Sequence, residues 1–221
     1  MTFRLKKMAT QRFRLLTSLC GIIGPLTLVG SFLINPAPPA DASAAQLTEF
    51  AHRHYITIVL GGWLQGMGSL LIVIFALALV HIAGATQWFS GWMTLLAGAI
   101  ILMVSLVEIT FYLGAIQGAA SSDQASGLAS DNLRKAVQHV FLIAPALLLP
   151  LGVVLVSSRL LPLLLAYFGL ALGAILQILG LVGLFHVLQP VIDVVLIVQA
   201  LWFVAAAIAL VAPSSTGAPT N

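Results

Sequence analysis

The chain has 221 residues, of which 61% are hydrophobic and only 7% charged, with a formal net charge of +3. Soluble globular domains carry about 25% charged residues, so this composition excludes that class and points to an integral membrane protein. The single cysteine, Cys20, excludes an intrachain disulfide and any Cys-rich metal motif.

A hydrocarbon core about 30 Å thick needs about 20 apolar residues per helix. Six runs suit that length: 15–34, 56–80, 92–114, 140–156, 160–185 and 191–211. Ahead of them, residues 1–14 form a basic tail holding Arg4, Lys6, Lys7, Arg12 and Arg14, five of the nine basic residues. The positive-inside rule places this tail in the cytoplasm, and six spans return the C-terminus there. Arg159 then falls in an inner loop, and Arg53, Arg134 and Lys135 fall outside. The positive charge is thus a topogenic signal, and no nucleic-acid partner is expected. The basic segment and first run before Ala42-Ser43-Ala44 also outline a signal peptide. An apolar run of about 20 residues exceeds the usual core of 7 to 15, so it is read as a span.

The first connection, "NPAPPADAS", is a Pro-rich turn that cannot be helical. In "SAAQLTEFAHRHY", Ser43 is placed to cap a helix whose Leu47, Phe50 and Ala51 share one face. A short interfacial helix running into the second span is expected. The second outer connection, "GAASSDQASGLASDNLRK", reads as a solvated loop, and residues 213–221 as a disordered tail. Pro145 and Pro150 are expected to kink the fourth helix. Gly62 with Gly66, Gly169 with Gly173, and Gly180 with Gly183 mark close helix contacts. Leu64-Gln65 with Gly68 and Leu176-Gln177 with Gly180 repeat the same offsets in the middle span of each three-helix half. Inverted repeats of transporters share that arrangement. The expected fold is an all-α integral membrane protein, a six-transmembrane-helix bundle with both termini cytoplasmic. It forms one polytopic domain over residues 1–221, multi-pass in the cell inner (cytoplasmic) membrane.

The stretch "LMVSLVEITFYLG" sets one carboxylate, Glu108, inside an apolar run. It lies about 24 Å along its helix from Trp92, past the midplane on the outer side, with Ser105 and Tyr112 on its face at i−3 and i+4. No apolar core holds a Lys or Arg, so a protonated or hydrogen-bonded carboxyl is expected, and an intramembrane acid is a functional-site hypothesis. The topology also sets Glu49, His52, His54, His139, His186 and Asp193 on the outer side, with Gln65 and Gln177 deeper. An outward-facing polar pocket around Glu108 follows, which His139 and Asp193 are expected to approach. Its catalytic candidates are Glu108, Asp193 and His139; its ligand-binding candidates are His54, Gln65, Ser105, Tyr112, Gln177 and His186. Structural counterparts stand beside these roles. Asp193, after Pro190, suits a helix N-terminus, and histidines near the interface need no ligand.

Three mechanisms use such a site. The pocket binds or transports a small amphiphile, with Glu108 recognising a cationic or hydroxylated group or relaying a proton. Alternatively, an intramembrane enzyme acts on a lipid or isoprenoid by carboxylate acid-base chemistry. The third reading is a structural or accessory membrane subunit. Membrane lipid is the expected partner, and the residues identify no cofactor. His52 and His54 at i,i+2 do not share a helix face, so no metal site is assigned. The absence of Lys from every span excludes a Schiff-base photoreceptor.

The basic N-terminus, the Pro-rich first loop, the run "WLQGMGSLLIVIFALALVHIAG" and "LVEITF" together resemble a family of six-span bacterial membrane proteins of unknown function. The resemblance implies the fold and topology over nearly the whole chain and no activity.

Overall fold

The computed structural model describes residues 2–36, 43–120, 129, 147–183 and 189–212. These residues form α1 (Thr2–Ile34), α2 (Ala44–Ile82), α3 (Phe89–Ala120), α4 (Leu148–Ser158), α5 (Leu163–Gly183) and α6 (Gln189–Val211). All but α4 are long and apolar enough to cross a membrane, so the chain is a multi-pass integral membrane protein with five such helices among the described residues. The described part of α4 has 11 residues, about 16 Å of helix. Residues 140–146, which the sequence places at the start of the fourth span, lie outside the described residues, as does the expected disordered tail 213–221.

Several elements begin earlier than hydropathy alone marks them. The basic tail is helical from Thr2 and continuous with α1. The expected interfacial helix is present and merges into α2, which runs unbroken for 39 residues. At about 58 Å this helix is longer than the hydrocarbon core, so part of it projects beyond the core. Ser43 caps it as the sequence indicates. Its Oγ accepts from the Gln46 amide at 3.4 Å, while Gln46 Oε1 accepts from the Ser43 amide at 2.9 Å. This reciprocal box satisfies two donors at the helix end. Ser43→Ala is expected to cost about 0.5–2 kcal/mol of local helix stability, seen as faster amide exchange over residues 44–48. Unchanged exchange would show that something other than the cap holds this end.

Two expectations are corrected. The described α4 starts at Leu148, which puts Pro150 in a first turn, where a missing N–H removes no intrahelical bond; Pro145 lies outside the described residues. Among the described residues, Pro25 of α1 sits inside a long helix, where it has no N–H to offer the Gly21 carbonyl. Helix α3 also continues through Gly118 to Ala120, where a loop is expected from the sequence.

Among the described residues the helices pack in chain order, each on the next, and α1 closes the series by packing on α6. The result is a ring. Close backbone approach supports it, since little hydrophobic drive exists between helices in lipid. A Cβ on Gly68 would lie 2.7 Å from the Leu28 amide nitrogen of α1, and one on Gly173 2.5 Å from the Leu149 nitrogen of α4. Of the predicted pair, Gly62 and Gly66 face α3 more loosely, at 3.1 and 3.6 Å from Ile109. The tight α2–α3 turn uses Gly84 at φ +68°, which only a residue without Cβ adopts freely.

The apolar core gathers Phe75, Leu79, Leu148, Leu151, Leu155, Trp202 and Phe203 from α2, α4 and α6. Trp202 Nε1 donates to the Leu165 carbonyl at 2.9 Å, satisfying its polar atom and linking α6 to α5. Leu33, Leu164 and Ile56 stand 82%, 85% and 79% exposed. Such exposure is a liability in water and ordinary against lipid chains.

Candidate functional site

Glu108 finds its partner on the neighbouring helix. Gln65 Nε2 of α2 donates to Glu108 Oε2 of α3 at 2.6 Å. One turn along, the hydroxyls of Ser69 and Ser105 share a hydrogen bond of 2.9 Å. Rising from 65 to 69 on α2 while falling from 108 to 105 on α3 is antiparallel register, and these residues form one polar seam between the helices. One turn the other way, Tyr112 OH donates to the Pro36 carbonyl at 2.7 Å, tying α3 to the chain leaving α1. Beside it, Asn35 packs against Gly61, and its Oδ1 is buried without a partner.

Burial grades across the seam. Gln65, Ser69 and Ser105 are 6%, 4% and 0% exposed, whereas Glu108 is only partly buried and its neighbours Leu106 and Val107 are exposed. The carboxyl therefore stands at the edge of the seam with the amide behind it. An amide N–H bonds to either form of a carboxyl group. Gln65 thereby orients the Glu108 carboxyl, a group whose oxygens can accept from a hydroxyl or ammonium group.

The structure brings together four of the sequence candidates: Gln65, Ser105, Glu108 and Tyr112. It places others apart. His54 is partly exposed near the start of α2, its ring 4.9 Å from that of Phe50. Gln177 lies in α5, its Nε2 buried and without a partner. His139 and His186 lie outside the described residues. Asp193 stands five residues into α6, which begins at Gln189, so it falls beyond the first turn rather than within it; its side chain is outside the description. Ser69 and Asn35 were missed. Ser69 was detectable, because it follows Gln65 by one helical turn on the same face.

Among the described residues no three His, Cys, Asp or Glu side chains gather as metal ligands. Tyr55, Ile56, Val59, Leu60 and Trp63 line an apolar groove on α2, and none of the seam residues reaches it.

A model of the family described as a domain of unknown function, DUF4386, matches residues 13–212. No curated protein and no solved structure matches the chain.

Proposed function

The chain belongs to the DUF4386 family of unknown function, and we propose that its function resides in the α2–α3 seam, where Glu108 binds a small amphiphile carrying a hydroxyl or ammonium group. One observation carries this reading. Glu108 is presented at the edge of a seam whose other members are buried, with Gln65 fixing its orientation from behind. Buried polar groups that only hold helices together gain nothing from a partly buried carboxyl at their edge, since an amide or hydroxyl there is cheaper to desolvate. In the same reading the protein resides in the cell inner membrane with its N-terminus in the cytoplasm, and the carboxyl opens towards the outer face. Transport then consists of exchanging the ligand for a proton at Glu108.

The Ser69–Ser105 bond favours a second reading, in which the whole seam is helix-to-helix adhesion in an accessory subunit. Native mass spectrometry of detergent-purified wild type and Glu108→Gln separates the two. Glutamine keeps the shape and an acceptor for Gln65 but cannot ionise. A retained small molecule present on wild type and lost from Glu108→Gln, with equal thermal midpoints, is the expected result. Equal retention by both proteins, or none on either, would sink the binding reading and leave adhesion.

A further inference from the structure

A second ligand chemistry is written along a different face of α2. Glu49, Arg53, Ile56, Leu60 and Trp63 follow at offsets of four, three, four and three residues, which places them in one stripe. All five are exposed. Trp63 follows Gln65's position by two residues backwards, about 200° around the helix, so this stripe and the Glu108 seam face different ways. The apolar groove of Tyr55, Ile56, Val59, Leu60 and Trp63 occupies its lower part.

The order of chemistry along the stripe is an acid, then a base, then an apolar groove flanked by Tyr55 and Trp63. Glu49 and Arg53 are about 6 Å apart along the axis, and Arg53 stands about 15 Å from Trp63. The exposed Glu49, His52 and Arg53 suit the first turns of α2 to the headgroup zone, which sets the groove at the edge of the hydrocarbon, where Tyr and Trp concentrate. An aminophospholipid presents the matching sequence along its own length: a terminal ammonium, a phosphate, then acyl chains. We propose that this stripe is a binding site for phosphatidylethanolamine, with the phosphate on Arg53, the ammonium on Glu49 and an acyl chain in the groove.

Charge decides against the two nearest alternatives. An anionic lipid meets Arg53 but is repelled by Glu49, one turn away on the same face. A second copy of the chain, related by a two-fold axis along the membrane normal, meets the stripe at equal depth and so sets like charges against each other.

The test is native mass spectrometry of the full chain from mixed micelles containing equimolar phosphatidylethanolamine, phosphatidylglycerol and phosphatidylcholine of one acyl length. Wild type is expected to retain phosphatidylethanolamine over phosphatidylglycerol by about threefold, in line with one exposed charge pair. Glu49→Gln should remove that preference, and Arg53→Gln should lower retention of all three lipids, with thermal midpoints unchanged because both side chains are exposed. Equal or better retention of phosphatidylglycerol by wild type, an unaltered preference in Glu49→Gln, or no retained lipid would overturn the proposal. So would a dimer mass lost in Trp63→Ala, which assigns the face to a second copy. Glu108→Gln should leave lipid retention intact, so this site stands or falls apart from the seam.

Discussion

Gly68→Ala is expected to lower the thermal midpoint of the detergent-solubilised protein, while Gly30→Ala, on α1, leaves it unchanged or raises it. At Gly68 an added Cβ would lie 2.7 Å from the Leu28 nitrogen, 2.9 Å from the Gly24 carbonyl oxygen and 3.0 Å from the Leu28 Cα. All three are backbone atoms. A side chain can rotate away from a new methyl group, but here relief requires the whole of α1 to move off α2. Overpacking of this kind costs about 1–3 kcal/mol. At Gly30 nothing lies within 4 Å of the same position, and alanine gains about 0.8–1 kcal/mol of helix propensity in water. Two identical chemical changes therefore act in opposite directions. Scanning fluorimetry on the four tryptophans reads both, and equal shifts would show that the α1–α2 contact is not what the Gly68 site protects.

Glu108→Ala is expected to destabilise the bundle by about 1–3 kcal/mol, because it strands a buried amide donor that now lies 2.6 Å from its acceptor. Replacing both residues of the pair, Gln65→Leu with Glu108→Leu, should recover part of that loss, since the Gln65 amide is then no longer stranded. A double-mutant cycle over wild type, Gln65→Leu, Glu108→Leu and the double variant measures the coupling. If the double variant is as unstable as Glu108→Ala, the energy at this position comes from packing and not from the hydrogen bond. A double variant that is stable yet retains no small molecule would separate the carboxyl's chemistry from its structural part.

Glu108 itself was legible because a carboxylate in an apolar run contrasts with everything around it. The start of α2 was legible through Ser43, a local signal. Pairing was harder to read. In a membrane the lipid-facing side of a helix is as apolar as its packed side, so hydrophobic periodicity, the usual guide to an inward face, carries little information. Gly62 and Gly66 have the spacing of a close-contact motif, yet the tighter approach is made by Gly68, against α1 rather than α3. Nothing in α2 alone distinguishes those two neighbours. Gln65 and Gln177 share local offsets, yet one pairs with a carboxyl and the other has a buried amide without a partner. Their sequence similarity does not extend to their surroundings. Asp193 was misplaced for a simpler reason: α6 begins before Pro190, a residue that the first helical turn accommodates.

The closure of α1 onto α6 bears on how the protein is made. The Ser18 hydroxyl donates to the Ala207 carbonyl across 189 residues of sequence, and Gly21 receives both the Phe75 ring and Ala207. During synthesis α1 enters the bilayer first and waits with one flank unoccupied until the last helix leaves the insertion machinery. Closure of the ring thus waits on α6, the last of the described helices in chain order. A chain ending before α6 would persist as an open arc, with Ser18 turned to lipid and available to quality-control proteases.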